Sequence, residues 1–481
     1  MPDPVLRRAD RSRARATVAI GLGLALGLVS ACDPGSPAAP VVTIPSVAPG
    51  RDFASGSRLR ARFHRIDGLV DVLASFHDTA LGADCAFIDE QGAHPGPGAS
   101  AYCVPANVAR HREGRGPFVD AECKQLGAFP PANGEATIAL VEPRDACLTA
   151  PLARAALPVE NRRVYLLDEA GVCAQSSPRA AVQKLGDVLP PTTFARSVEI
   201  AEPRLGRIDA RVLAGDDGSR LVVGGFDRRR NEAVRIGDLG DGLERWLPVR
   251  IAFVGSGEPV YADATCKGEL ATKIGRTATC PLTAAFVLEG ICGGGKVFTL
   301  GPQVSAPFAK RETCASASLP DSTAFVLGEE IPPSAFAPVV AVDIGSARLR
   351  RRSAGADDAI VSWGEVRDAT IGGPCIVLPA ADGELRCLPD TAESMGFFAD
   401  DACTELAFAH PISGCETSAF PRFVRSTETP PRTFAVGRPL ARVFAMKSGA
   451  CTPTTPVVES FLFAASEAPA ATFLRAEEIR E

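Results

Sequence analysis

Five landmarks recur three times along this chain, in the same order and at nearly constant spacing. Ser57-Arg58-Leu59-Arg60-Ala61-Arg62 returns as Gly206-Arg207-Ile208-Asp209-Ala210-Arg211 and as Ala347-Arg348-Leu349-Arg350-Arg351-Arg352, at offsets of 149 and 141 residues. Asp78, Asp227 and Asp368 follow at the same two offsets. An aromatic-x-Asp-x-x-Cys motif comes next: Phe118, Asp120 and Cys123; Tyr261, Asp263 and Cys266; Phe398, Asp400 and Cys403. A late cysteine (Cys173, Cys314, Cys451) and a closing phenylalanine (Phe194, Phe336, Phe473) complete each set. A period of roughly 140 residues predicts three copies of one fold.

Within a period the pattern is strand-like. Leu221-Val222-Val223-Gly224-Gly225-Phe226 follows the turn Asp216-Asp217-Gly218. Asp382-Gly383 separates Cys375-Ile376-Val377-Leu378 from Leu385-Arg386-Cys387-Leu388. Asp-Gly between apolar runs is a strong hairpin signal. The third period predicts strands at 346–354, 359–367, 373–379 and 385–389, and no long amphipathic helix. The expected fold class is therefore all-β, with three tandem repeats forming a propeller-like ring of about six blades. Three consecutive β-sandwich domains are the alternative. The repeats are expected at 57–198, 199–340 and 341–481.

The N-terminus speaks to compartment. Arg7, Arg8, Arg11, Arg13 and Arg15 precede a short apolar run from Thr17 to Ala31. That is the layout of a signal peptide, and the run is short of the ~20 residues a membrane span needs. Val29-Ser30-Ala31-Cys32 resembles a bacterial lipobox, which implies that residues 1–31 are removed and Cys32 is lipidated. An ordinary cleaved signal peptide is the alternative. Asp33 to Gly56 is rich in Pro, Ala, Gly and Ser and reads as a flexible tether. The expected location is the extracytoplasmic face of a bacterial envelope, with the membrane reached through the N-terminal lipid. Losing residues 1–31 takes the net charge from −6 to −9. A mildly acidic surface argues against a nucleic-acid partner.

Fourteen cysteines follow Cys32, none in a C-x-x-C pair. In an exported chain this reads as a disulfide framework. Cys85 and Cys103 in the first period match Cys375 and Cys387 in the third. The second has Val234 and Trp246 at those places. Both cysteines are absent together, which predicts the pairs Cys85–Cys103 and Cys375–Cys387. The rest stay open. Hairpin clips 266–280 and 403–415, with 147–173 and 292–314, leave Cys123 and Cys451 over. Column pairs 123–173, 266–314 and 403–451 leave Cys147 and Cys415 over.

Asp382 to Pro389, the aromatic-x-Asp-x-x-Cys motif and Leu327-Gly328 leading to Ile331-Pro332-Pro333-Ser334-Ala335-Phe336 resemble cysteine-rich repeat lipoproteins of myxobacterial type. The resemblance spans nearly all of the chain after Cys32 and implies an envelope lipoprotein. It carries no activity over.

Motifs for chemistry are sparse. His64, His77, His94, His111 and His410 show no metal-ligand spacing, and no G-x-S-x-G elbow occurs. His77 is replaced by Phe226 and Arg367 in the other periods. Gly290 to Lys296 matches part of a phosphate loop, but Val297 replaces the magnesium-binding Ser or Thr, so a glycine-rich hairpin turn is expected. Two Trp and three Tyr offer few platforms for glycans. Asp78, Asp227 and Asp368 are the candidates for a shared surface or calcium site, with turn capping through backbone amides as the alternative. The expectation is a non-enzymatic binding protein without a cofactor, its protein or small-molecule partner unspecified. A hydrolase with a carboxylate site assembled only in three dimensions, and a structural spacer, are the alternatives.

Overall fold

Leu59–Ile66 shows how these sequences become sheet. Leu59, Ala61 and Phe63 alternate with Arg60, Arg62 and His64, and the apolar set is buried. That is the two-residue period of a half-buried strand. The pairing with Val70–Asp78 slips by one residue between Arg62 and Phe63. Related slips occur between Arg211 and Val212 and between Arg351 and Ser353. Each marks a bulge that bends its hairpin.

The computed structural model describes residues 51–89, 97–112, 116–131, 134–142, 152–168, 171–204, 206–254, 260–267, 270–275, 282–288, 295–310, 313–317, 322–356, 359–411, 421–456 and 460–481. Cys32, the apolar run before it, His94, Cys147, Cys280, Cys292 and Cys415 lie outside them. So do all but the last two residues of the Gly290 to Lys296 segment. The described chain is all-β. Its helical content is three single 3-10 turns, Pro191–Thr193, Pro333–Ala335 and Ala470–Thr472. The third-period strands fall at Leu349–Ala356, Ala359–Asp368, Gly373–Pro379 and Leu385–Pro389, close to the sequence reading.

Five sheets carry the fold, and none closes on itself among the described residues. One sheet has eleven strands, two have eight and two have five. The eleven-stranded sheet corrects the expectation of separate four-stranded blades. Ser100–Pro105 pairs directly with Ala195–Glu202, so strands of the first and second periods merge. The open edge of one hairpin set is covered by the next, which removes an exposed row of N–H and C=O groups. The strand Ala476–Arg480 pairs with Leu59–Ile66 and joins the third period to the first. Isolated bridges Arg245↔Pro338 and Arg386↔Arg475 knit further sheet ends together.

The tether expectation also needs correction at its last residues. Phe53–Ala54 is a short strand on Arg220–Leu221, and Phe53 is buried with Phe63 and Leu221. An aromatic side chain among small residues finds a core here.

Three apolar clusters have the same make-up. Phe53, Leu59, Ala61, Phe63, Phe76, Cys85 and Cys103 form one. Ile208, Ala210, Val212, Val234 and Trp246 form another. Leu349, Val366, Cys375, Cys387 and Phe473 belong to the third. Cys85–Cys103 and Cys375–Cys387 are disulfides, each with Cα atoms 5.3 Å apart. Cys375 opposes Pro389 and Cys387 opposes Val377. Val234 opposes Pro248 and Trp246 opposes Ile236, which is the same register. Both replacements are fully buried. Apolar volume fills the space that sulfur fills in the other two clusters.

That register makes Val234→Cys/Trp246→Cys able to form a third crosslink. Non-reducing peptide mapping should find it. A disulfide over so short a loop contributes about 2–3 kcal/mol, whereas losing the indole costs about 3–5 kcal/mol. The oxidised double variant should therefore melt no higher than wild type, and the reduced one well below it.

Candidate functional site

Arg58, Arg207 and Arg348 each stand at the start of a strand, and Asp78, Asp227 and Asp368 each end the next one. The hairpin brings them together. Arg58 Nε and Nη2 donate to the two Asp78 oxygens at 2.8 Å each. Arg207 binds Asp227 at 2.8 and 2.5 Å, and Arg348 binds Asp368 at 3.2 Å twice. Each Nη2 also donates to a carbonyl in a 3-10 turn: Thr193, Ala335 and Thr472, at 2.8–2.9 Å. The carboxylates are essentially without solvent exposure. Each also caps the following turn, Asp227 accepting from the Arg229 N–H at 2.9 Å and Asp368 from Thr370 at 2.7 Å.

These aspartates are therefore interior groups paired with arginine, not an open carboxylate face for calcium. The turn-capping alternative describes them better, with the arginine added. In the sequence arginine and aspartate stand as separate landmarks. Their opposite charge and constant 20-residue separation were the signal that they are partners.

Asp120, Asp263 and Asp400 cap the second recurrent turn. Asp120 accepts from Lys124 and Gln125, Asp263 from Thr265, and Asp400 from Thr404 and Glu405. The hydrogen bonds from Thr404 and then Glu405 hold the Asp400 carboxyl below its ordinary range. Cys123, Cys266 and Cys403 sit at φ of 50–53°. This left-handed backbone, uncommon outside glycine, aims each sulfur at its partner. The disulfides are Cys123–Cys173, Cys266–Cys314 and Cys403–Cys451, which is the column pairing.

A third polar assembly surrounds Arg51 and Asp52. Arg51 pairs with Asp71 at 2.8 Å and Glu481 at 2.5 Å, and Arg351 reaches Asp52 at 3.1 Å. The Val222 N–H donates to the Asp52 carbonyl at 2.7 Å. Burial pushes the Asp52 carboxyl up despite Arg351. At Asp71 burial pushes the same way, but Arg65 and Arg51 together prevail and lower it. At Asp217 burial is outweighed by N–H groups of Leu59, Ser219 and Arg58 and by the Ser219 side chain, and the pKa falls. His77 Nδ1 meets Asp84 at 2.8 Å and His410 Nδ1 meets Glu393 at 2.7 Å. Among the described residues no three His, Cys, Asp or Glu side chains gather as a metal site.

A shallow surface cleft of about 700 Å3 lies beside the third clamp. Ala347, Arg348, Ala369, Thr370, Arg422 and Phe423 form its walls.

Together these features define a disulfide-braced all-β protein whose recurrent polar residues hold turns and strand ends. Residues 186–470 match a family of unknown function, DUF7481, and the chain belongs to that family. No curated protein and no solved structure matches the chain. The five disulfides among the described residues point to folding outside the reducing cytoplasm. Among the described residues no helix is long and apolar enough to cross a membrane.

Two outcomes are expected from the clamps and turns. Asp227→Ala strands Arg207 beside a desolvated site and should cost roughly 2–4 kcal/mol, read by urea denaturation. Acid should also destabilise the fold. Asp71 and Asp217 have folded pKa values below those of the unfolded chain, about 3.9. Their contribution is full above that value and is lost as pH falls through the folded pKa. Melts between pH 6 and 2 should show this loss, and Asp217→Asn should flatten it.

Proposed function

We propose that this protein is an exported lipoprotein, anchored through Cys32, that presents a rigid three-repeat β-domain for binding rather than catalysis. The observation that carries this reading is where the recurrent polar groups go. The three Arg–Asp clamps and three Asp–Cys turns are consumed in holding the fold. What recurs in the sequence is thus a scaffold, and a scaffold leaves function to surfaces that differ between repeats.

The three-repeat, ring-like order is supported by the strand pairings. Each set of hairpins takes a strand from the segment before it: Ala195–Glu202 on Ile208–Gly215, Val340–Gly345 on Leu349–Ala356, and Ala476–Arg480 on Leu59–Ile66. The last pairing links the end of the third period back to the start of the first. The resemblance to cysteine-rich repeat lipoproteins of myxobacterial type agrees with the anchored reading. So do the disulfides and the apolar run before Cys32.

A hydrolase would need a carboxylic acid with a tightly held proton facing a cleft. Asp52 holds its proton more tightly than usual, but it is tied to Arg351 beneath the first strand. That favours the binding reading.

In the native host, labelled palmitate should enter the wild-type chain and not Cys32→Ser. Label retained in the variant, or absent from both, would reject the anchor. The purified chain should show no turnover on ester, peptide and glycoside panels. Turnover abolished by changing one polar residue would replace binding with catalysis.

A further inference from the structure

We infer that the cleft beside Arg348 is a binding site for a small carboxylic acid with an apolar body. This rests on the binding reading above and gives it a ligand class.

The third clamp differs from its sisters. Arg348 holds Asp368 at 3.2 Å, longer than the corresponding bonds of Arg58 and Arg207. Its side chain is 42 % exposed, against 28 % for Arg58 and 23 % for Arg207. Nε and Nη2 serve the clamp, and the same side chain lines the cleft.

The second cation is Arg422. It precedes the strand Phe423–Ser426 and is exposed. Its guanidinium has no ion pair or hydrogen bond to any described residue. Its stem lies across Gly372, where a Cβ would meet Arg422 Cδ, Cγ and Nε at 3.4–3.5 Å. Gly372 closes the turn that begins at Asp368, its N–H donating to the Asp368 carbonyl at 2.9 Å. The turn that caps the clamp thus also seats Arg422. Above Gly82, the matching position in the first period, the space is open.

Arg422 is particular to the third period. The Val436 N–H bonds the Arg422 carbonyl as the Ala156 N–H bonds Thr137, so Thr137 is its counterpart. In the second period Thr283 precedes the matching strand Ala284–Leu288. Two threonines and one arginine at a shared backbone position mark a surface that has diverged on a constant scaffold.

The remaining lining is Ala347, Ala369, Thr370 and Phe423. Phe423 is held edge-on against the buried Phe473, with ring centres 5.4 Å apart. Two guanidiniums over an apolar floor suit a carboxylate carried on an aryl or alkyl group. The volume lies within the usual range for small-molecule sites, about 300–1,000 Å3.

Isothermal titration of the purified full chain tests this, with benzoate and octanoate as probes, each beside its amide, and inorganic phosphate. Both acids should bind saturably at one site, at least tenfold tighter than their amides. Arg422→Thr, the residue of the sister positions, should weaken them at least tenfold. Arg422→Lys should weaken them less. Arg432→Thr, which removes an exposed arginine paired with Glu467, should change nothing. An unchanged melting temperature would separate lost binding from lost fold. No saturable binding of either acid, equal affinity for acid and amide, phosphate as the sole ligand, or full affinity in Arg422→Thr would each overturn the proposal. None of these results bears on palmitate labelling of Cys32, so the two readings fail separately.

Discussion

A carboxylate with no access to water must be given everything that water gave it. At Asp78, Asp227 and Asp368 an arginine donates to both carboxylate oxygens and a turn donates a backbone N–H. The same guanidinium then reaches a carbonyl at the far end of its period, 124–135 residues on. One planar cation thus ties a local hairpin to a distant 3-10 turn. Lysine has the charge but lacks the fixed fork this requires. The clamp also sets strand register. A slip of one residue would turn aspartate or arginine to the opposite face and leave a buried charge alone. The bulges at Arg62, Arg211 and Arg351 begin three or four residues further on, where the clamp no longer dictates alignment.

Much of the fold was legible because its signals are local. Apolar alternation and the Asp-Gly turn placed the third-period strands almost at their ends. Paired absence of two cysteines in the second period identified two disulfides, since a bonded pair can be lost together without leaving a lone thiol. Val234 and Trp246 show the physical basis: they occupy the same register and restore the volume. What was not legible is long-range. The spacing of Asp120, Asp263 and Asp400 to their cysteines is short, but left-handed backbone at the cysteine aims the sulfur far along the chain. Hairpin clips and column pairs therefore looked equal in one dimension. Likewise, no local pattern says that Ser100–Pro105 will join Ala195–Glu202, and this pairing turns expected blades into one broad sheet.

The candidate cleft was illegible for a different reason. Recurrence draws the eye to residues that repeat, and here those residues are structural. Arg422 breaks the pattern and lies 74 residues beyond Arg348. Only the turn at Gly372 brings the two to one cavity. In a repeat fold the interior constraints are shared by every copy, while each exposed position is constrained by its own copy alone. Divergence is therefore cheapest at the surface, and a departure such as threonine to arginine is a better pointer to binding than the repeated aspartates were.

The segment from Arg51 to Ala54 is tied to all three periods. Phe53 enters the first core cluster, the Asp52 carbonyl takes a hydrogen bond from the second period, and Asp52 itself meets Arg351 of the third. Arg51 adds Glu481 at the other end of the chain. Asp52 is held although burial works against its charge, which is tolerable because Arg351 would otherwise be left beside the core without an anion. This first strand is thus a keystone placed by three separate contacts.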